Sequence, residues 1–228
     1  MPEKLGLRLP WMSRRDRDRW KSTQTIGELG ELMALWLEGV IQSRPGYTPR
    51  HGPDDETSGL VASLAAMCRA GFVTTDSQPG WSGTGWDGLW WEQRAVVQGV
   101  LTDPELLDRL VQTAADTGLV FRINDYSRCD GVQEPPVAVT ARDGEIVTSF
   151  AGRARRADRA LQWQGLNRQL HDQVVRGTYL AIAAPEYGRD GDRLWTALDF
   201  VTGLRTVPEN DPWAPRTTSP TTKDGTDR

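Results

Sequence analysis

Apolar residues recur every three or four positions over two stretches in the first third of the chain, and this spacing predicts two amphipathic helices. The first is predicted over residues 22–41, where Thr25 and Glu28 have the spacing of a capping box at a helix N-terminus. The second is predicted over residues 56–70 and is followed by Gly71, a residue suited to a helix C-terminus. Two helices therefore precede the first predicted strand.

Residues 71–99 change from helical spacing to a strand, a turn and a loop rich in glycine and tryptophan. The pattern predicts a strand over residues 72–75 and a turn over residues 77–80, and it favours a helix that starts near Glu92 and Gln93. A strand that ends in hydroxyl groups supplies hydrogen-bond donors and acceptors, and a helix N-terminus supplies unpaired N–H groups. We expect a polar small-molecule pocket in this stretch.

The second half of the chain alternates between helical and strand patterns. It predicts helices over residues 102–118, 151–175 and 193–201, and strands over residues 119–123, 136–140, 145–150 and 178–183. This order predicts an α/β fold, with α+β as the alternative: a single domain in which a central mixed sheet is flanked by helices. We expect an N-terminal arm over residues 1–21, a globular domain over residues 22–205 and a disordered tail over residues 206–228.

The composition is that of a globular domain: 38% of the 228 residues are hydrophobic and 25% are charged. No apolar run approaches the roughly 18–20 residues of a membrane span, and the N-terminus lacks the apolar segment of a secretory signal. The formal net charge of −4 argues against nucleic-acid binding. We therefore expect a cytoplasmic protein that binds neither a membrane nor nucleic acid.

The chain contains two cysteines, Cys68 and Cys129, which lie far apart without the spacing of metal ligands. The two histidines are too few for a histidine-rich metal site. The apolar residues around Cys68 predict that this cysteine is buried. We expect a reduced protein that holds no metal ion.

The chain carries no familiar catalytic motif: it lacks GxxxxGK[ST], GxSxG and HExxH, and no GxGxxG opens a predicted helix after a strand. Hydroxyl and carboxylate side chains at the ends of predicted elements remain as candidates, namely Glu56, Thr57, Thr74, Ser77, Thr140, Thr148 and Ser149. Each also has a local explanation as a helix cap, a turn residue or an ordinary strand residue. The residue types alone leave both interpretations open.

Six short segments occur in a fixed order along the chain. They are Glu-Thr-Ser at residues 56–58, Arg-Ala-Gly at 69–71, Thr-Thr-Asp-Ser-Gln-Pro at 74–79, Gly-Trp at 85–86, Gln-Arg-Ala at 93–95 and Ala-Val-Thr at 138–140. In this order they resemble the C-terminal regulatory domain of eukaryotic methylenetetrahydrofolate reductase, and the resemblance extends from Thr25 to Phe200. The chain also resembles a group of small actinobacterial proteins of unknown function that share the segments SQPG and EQRA.

In the reductase, this domain binds S-adenosylmethionine, or its demethylated product S-adenosylhomocysteine, as an allosteric signal. The resemblance implies an equivalent pocket lined by Glu56, Thr57, Thr74, Ser77, Thr140 and Thr148, with Gln78, Trp86 and Gln93 as further wall residues. Ser149 is an alternative to Thr148. These residue types suit the ligand, because carboxylates accept from ribose hydroxyls or an ammonium, hydroxyls donate and accept, and tryptophans stack on adenine or a sulfonium.

The resemblance therefore implies a stand-alone sensor domain for S-adenosylmethionine, S-adenosylhomocysteine or a related nucleoside, with no catalytic residue and no required cofactor. No stretch before Thr25 is long enough for the catalytic barrel of the reductase, so we expect neither its activity nor its flavin. A homodimer is implied as well. Two alternatives stay open: an enzyme acting on an adenosyl nucleoside, with Glu56, Asp76 or Glu92 as general acid or base, and a protein-interaction module that uses its tryptophans.

Overall fold

The computed structural model describes residues 12–124, 135–152, 155–188 and 191–205. The α-helices in these ranges are α1 (Arg14–Ser22), α2 (Ile26–Leu37), α3 (Val61–Arg69), α4 (Pro104–Thr117), α5 (Arg156–Gln162), α6 (Arg168–Arg176) and α7 (Gly191–Thr202), and a 3₁₀ helix (Asp55–Leu60) leads into α3. The strands are β1 (Val73–Gln78), β2 (Trp81–Thr84), β3 (Trp90–Gln93), β4 (Val96–Leu101), β5 (Val120–Ile123), β6 (Val137–Arg142), β7 (Glu145–Phe150) and β8 (Thr178–Ala183). The predicted tail over residues 206–228 lies outside the described residues.

The strands form two antiparallel sheets of four strands each. Sheet A has the strand order β1-β4-β8-β5, and sheet B has the order β2-β3-β6-β7. The chain runs from β1 into β2 through Pro79 and Gly80, and it returns from β3 into β4 through Arg94 and Ala95. Because β1 pairs with β4 and β2 pairs with β3, these four strands form one long hairpin that leaves sheet A and enters sheet B.

Sheet A lies between two hydrophobic clusters. The larger cluster contains buried residues from α1, α2, α3, α4, α6 and α7, and the smaller one contains residues of β4, β6 and β8. Along β8 the side chains alternate, with Leu180 and Ile182 in the larger cluster and Ala181 and Ala183 in the smaller one. The helices therefore cover one face of sheet A, and β6 of sheet B packs on the other.

Helices α2 and α3 pack closely against each other at Gly30. A Cβ atom added at Gly30 would overlap the carbonyl oxygen of Cys68 on α3. Outside this crossing, the Arg69 guanidinium bridges the two helices through ion pairs of 2.8 Å to Glu31 and 2.6 Å to Glu38. Both carboxylates are hydrogen-bonded to Arg69 and raise its pKa above the ordinary value.

The structure confirms the α+β alternative and the single domain, and the two sheets are antiparallel rather than one mixed sheet. The predicted helix near Glu92 and Gln93 is wrong, because this segment is β3, which pairs with both β2 and β6. The predicted turn at 77–80 is shorter, because β1 continues through Gln78. The helix predicted over residues 22–41 is shorter, because α2 starts after the predicted N-cap Thr25 and ends at Leu37. The helix predicted over residues 151–175 is two helices, α5 and α6.

The predicted N-terminal arm is also partly wrong. Its second half forms α1, and Trp20 on this helix is only 1% exposed within the larger cluster. The Trp20 indole N–H donates to the Ser43 carbonyl oxygen at 2.8 Å, so the helix is fixed to the loop that follows α2. Residues 1–11 of the predicted arm lie outside the described residues. Among the helices of the described ranges, none is long and apolar enough to cross a membrane.

Candidate functional site

Two neighbouring cavities open on β1, the edge strand of sheet A. The smaller, here called the Arg44 cavity, has a volume of about 180 Å³, and its lining includes Trp36, Arg44, Tyr47, Asp54, Glu56, Thr57 and residues 74–78. The larger, here called the Arg159 cavity, has a volume of about 260 Å³, and its lining includes Thr75, Gln98, Asn124, Phe150, Arg159 and Tyr179. Thr75 and Phe150 line both, so these two residues form the wall between the cavities.

A β-bulge in β1 gives the Arg44 cavity its shape. The pairing of β1 with β4 shifts between Thr74 and Asp76, which leaves Thr75 as the extra residue. A bulge bends a strand and re-aims its side chains. Because β1 is also an edge strand, five consecutive residues, 74–78, line the cavity, whereas a regular strand would present only alternate ones to one face.

Buried hydroxyl groups contribute to the interior of this cavity. Thr57 comes from the 3₁₀ helix and Thr74 from β1, and both are buried. The hydroxyl and the backbone N–H of Thr74 lie 3.3 Å and 3.4 Å from the sulfur of Cys68. Burial raises the pKa of the Cys68 thiol, so this sulfur stays protonated and fixes β1 against α3. The predicted burial of Cys68 is confirmed.

Arg44 places a positive charge inside the cavity. It is 5% exposed, and its guanidinium lies 4.7 Å from the ring centroids of both Trp36 and Tyr47. Its Nη2 donates to the Thr75 carbonyl oxygen at 3.1 Å, while its Nε is buried and has no hydrogen-bond partner among the described residues. Burial lowers the pKa of the guanidinium, and the Asp76 carboxylate opposes this shift.

Three exposed carboxylates, from Asp54, Glu56 and Asp76, line the same cavity. Two of them are held in place: the Tyr47 hydroxyl donates to Asp54 Oδ1 at 3.1 Å, and Gln98 Nε2 donates to Asp76 Oδ2 at 2.9 Å. The cavity therefore combines negative groups at its exposed side with one buried guanidinium. Such a combination can bind a ligand that carries both a cationic and an anionic group.

The buried side-chain amide of Gln78 connects the wall of the cavity to β6 through hydrogen bonds. Gln78 Nε2 donates to the carbonyl oxygens of Val139 at 2.9 Å and Arg94 at 3.2 Å, and the Thr140 hydroxyl donates to Gln78 Oε1 at 3.0 Å. These bonds join β1 to β6 at the point where the long hairpin bends between the sheets. The Gln78 amide therefore stabilises the fold, and Thr140 is connected to the cavity through its hydrogen bond to Gln78.

The Arg159 cavity is lined by a second buried arginine. The Arg159 guanidinium lies 4.0 Å from the ring centroid of Tyr179 and donates to the carbonyl oxygen of Asn124. The Tyr179 hydroxyl accepts a hydrogen bond of 3.0 Å from the Trp163 indole. Burial raises the pKa of Tyr179 to about 12, so its phenol is neutral at physiological pH. This cavity offers polar groups for hydrogen bonding to a ligand.

Five of the nine sequence-predicted site residues line the Arg44 cavity. They are Glu56, Thr57, Thr74, Ser77 and Gln78. Thr140 lies behind the cavity, hydrogen-bonded to Gln78, while Thr148 is exposed on β7 and lines neither cavity. Its alternative, Ser149, lines the Arg159 cavity. Gln93 lies on β3 opposite Thr140 and lines neither of the two cavities.

The glycine- and tryptophan-rich segment does not cover the cavities. It is the β2–β3 hairpin, and Trp86 near its tip is 97% exposed. Gly83, Gly85 and Gly88 have the spacing of a GxGxxG motif, but they lie in this hairpin and no helix follows them. The spacing therefore does not form a dinucleotide-binding turn, which needs a helix N-terminus after the glycines.

The residues that give the Arg44 cavity its buried positive charge and its aromatic wall are not among those predicted from the sequence. Arg44 and Tyr47 lie in the loop after α2, and Trp36 lies on α2 itself. A signal was present, because an arginine with a tryptophan and a tyrosine nearby in the sequence can form a cation–π stack. The sequence could not indicate that this stack lies beside β1.

The fold is that of an α+β domain with two polar cavities beside the edge strand β1. The chain belongs to the family described as a domain of unknown function (DUF6919), which matches residues 15–203 and so includes nearly all of α1. A comparison with curated proteins gave no match. Within the described ranges, no three His, Cys, Asp or Glu side chains are grouped so that they could hold a metal ion.

Proposed function

We propose that this protein is a small-molecule sensor domain that binds S-adenosylmethionine, S-adenosylhomocysteine or a closely related adenosyl compound in the Arg44 cavity. The observation that carries the proposal is the convergence of five residues on one cavity. Glu56 and Thr57 come from the 3₁₀ helix, and Thr74, Ser77 and Gln78 come from β1. The resemblance to the reductase's regulatory domain implies the same five residues as parts of one pocket.

The chemistry of the cavity supports an adenosyl ligand. Carboxylates such as Glu56 accept hydrogen bonds from a ribose diol or an ammonium group, and serine and threonine hydroxyls can serve the polar edge of adenine. The Trp36 ring lines the cavity, but it is only 4% exposed and already packs against Arg44 and Tyr47. The resemblance implied that Trp86 is part of the pocket wall, but Trp86 is 97% exposed and lines neither cavity.

The volumes indicate that such a ligand extends into both cavities. Ligand pockets usually measure about 300–1,000 Å³. The Arg44 cavity alone, at about 180 Å³, is smaller than this range. The Arg159 cavity adds about 260 Å³ beyond Thr75 and Phe150. Such a ligand would pass from one cavity to the other beside Thr75 and Phe150, which line both.

Thermal unfolding with and without millimolar S-adenosylmethionine and S-adenosylhomocysteine tests the proposal. A ligand present at a hundredfold excess over its Kd stabilises the folded state by about 2.7 kcal/mol, which raises the midpoint by several degrees. We expect Glu56→Gln to weaken binding at least tenfold without lowering the midpoint of the free protein, because Glu56 is exposed.

The matched control is Glu145→Gln, on the exposed edge strand β7 and outside both cavities. It should bind as the unsubstituted protein does. The proposal is wrong if neither ligand shifts the midpoint, and the assignment of the cavity is wrong if Glu56→Gln and Thr74→Val both bind with full affinity.

The exposed tryptophans support a second candidate function. Trp81, Trp86 and Trp90 on the β2–β3 hairpin are 41%, 97% and 48% exposed, and large exposed aromatic residues are typical of protein-binding surfaces. A protein partner would then bind the hairpin, away from both cavities. The enzymatic alternative has less support, since Glu56 and Asp76 line the Arg44 cavity but Glu92 lies on β3 outside it.

A further inference from the structure

The buried charge of Arg44 is only partly satisfied within the protein. Its guanidinium packs against two aromatic rings, which also contact each other edge to face, and donates one hydrogen bond to the backbone of β1. Within the described part of the chain, the buried Nε–H has no acceptor and no carboxylate forms an ion pair with Arg44. A buried cation that lacks an anionic partner is unfavourable, because the charge has lost its water without gaining an equivalent interaction.

The position of the guanidinium makes it available to a ligand. Arg44 lines the Arg44 cavity together with the buried Thr57 and Thr74, so an anion in the cavity would meet hydroxyl donors beside a guanidinium. Arginine binds carboxylates particularly well, because its planar guanidinium presents several N–H groups in a fixed arrangement. The rings of Trp36 and Tyr47, which contact each other edge to face, pack against it and limit its movement.

We propose that Arg44 binds a carboxylate group of the ligand, which makes the ligand an adenosyl amino acid rather than a nucleoside without an acidic group. This inference rests on the proposed function and adds to it the part of the ligand that Arg44 recognises. The exposed carboxylates of Asp54, Glu56 and Asp76 line the same cavity and suit the ammonium group of the same amino acid. The cavity thus provides one partner for each charge of a zwitterion.

A pair of ligands that differ only in the carboxylate tests this inference. S-adenosylhomocysteine carries the carboxylate and the ammonium, whereas its decarboxylated form keeps the adenosine, the thioether and the ammonium. Isothermal titration of the full chain with each compound should give a Kd for S-adenosylhomocysteine that is about tenfold to a hundredfold lower. This range corresponds to one hydrogen bond between charged groups.

Substitution of the arginine then links that preference to Arg44. In Arg44→Met the preference should disappear, because binding of S-adenosylhomocysteine weakens while binding of the decarboxylated compound does not. The matched control is Arg142→Met, at the end of β6 and outside both cavities, which should keep the full preference. If Arg44→Met does not fold, Arg44→Lys keeps a positive charge, and it should retain a smaller preference.

The outcomes separate this inference from the proposed function. Equal affinity of the unsubstituted protein for the two compounds would overturn the role of Arg44 and leave the adenosyl-binding function in place. A preference that persists in Arg44→Met would also overturn it, since another group would then bind the carboxylate. Failure of both compounds to bind would reject the proposed function and this inference together.

Discussion

At the scale of single residues, the polar groups around the Arg44 cavity fall into two kinds. Gln78 and Thr140 stabilise the fold. The Thr140 hydroxyl donates to the Gln78 side-chain oxygen, and the Gln78 amide nitrogen donates to two backbone carbonyls inside the protein. The carboxylate of Glu56, in contrast, is exposed at the cavity. A substitution of the first kind should therefore change stability, and one of the second kind should change ligand binding.

Thr140 and Thr148 give a direct comparison, because they are paired neighbours on β6 and β7. Thr140→Val removes the hydroxyl that donates to the buried Gln78 amide, and we expect it to lower the free energy of unfolding by about 1–3 kcal/mol. Thr148→Val on the exposed strand should change it by less than about 0.5 kcal/mol. Urea denaturation of the two variants measures both values. Equal midpoints would show that the hydrogen bond to Gln78 contributes nothing measurable.

The sequence indicated part of the candidate site because part of it is local. Thr74 and Ser77 lie within one short segment, so their approach to a common cavity needs only a strand and its bulge. Arg44 reaches the same cavity from a separate loop, and its hydrogen bond to Thr75 spans 31 positions in the sequence. Its packing against Trp36 and Tyr47 depends on how that loop folds back on α2, which no periodicity of apolar residues predicts.

At the scale of secondary-structure elements, helices α2 and α3 approach each other most closely where Gly30 meets the backbone of Cys68. Gly30 on α2 has no room for a side chain, because a Cβ atom would overlap the Cys68 carbonyl oxygen. We expect Gly30→Ala to lower the free energy of unfolding by about 1–3 kcal/mol, as overpacking of a core usually does. The loss is measured by chemical denaturation.

Gly27→Ala on the same helix is the matched control. A Cβ atom at Gly27 would lie 4.0 Å from the nearest atom, the Thr25 hydroxyl oxygen, which is ordinary contact. Alanine is favoured over glycine inside a helix by up to about 1 kcal/mol, so this variant should be as stable as the original or more stable. If both variants lost stability equally, the close approach of α2 and α3 would not explain the effect.

The elements that the sequence predicted well carry strong local signals. Helix α4 begins after the N-cap Asp103 and ends at Gly118 in the left-handed conformation, and both residues were recognisable from the sequence. The segment from Trp90 to Leu101 was misassigned, because Glu92 and Gln93 favour helices and the apolar run of β4 shows no alternation. Its strands form because sheets A and B supply pairing partners on both sides.

At the scale of the whole molecule, the cavity depends on an element that looked dispensable in the sequence. Helix α1 is highly charged, and Trp20 is its buried hydrophobic anchor. The indole N–H of Trp20 bonds the carbonyl of Ser43, the residue before Arg44. The Ser43 hydroxyl in turn accepts from the backbone N–H of Arg50. The loop that carries Arg44 is therefore held from the side of α1 as well as from the side of β1.

We accordingly expect Trp20→Ala to lower the free energy of unfolding by about 3–5 kcal/mol, since it leaves a large cavity in the core and removes a buried hydrogen bond. Trp20→Phe, which keeps an aromatic ring but not the N–H, should lose about 1–3 kcal/mol. Trp86→Ala is the control with the same change of side chain at an exposed position, and it should unfold at the original urea concentration. Unfolding of Trp20→Ala at the same urea concentration as Trp86→Ala would contradict this role of α1. Helix α1 would then be part of the N-terminal arm that the sequence predicts, and the loop that carries Arg44 would keep its position without it.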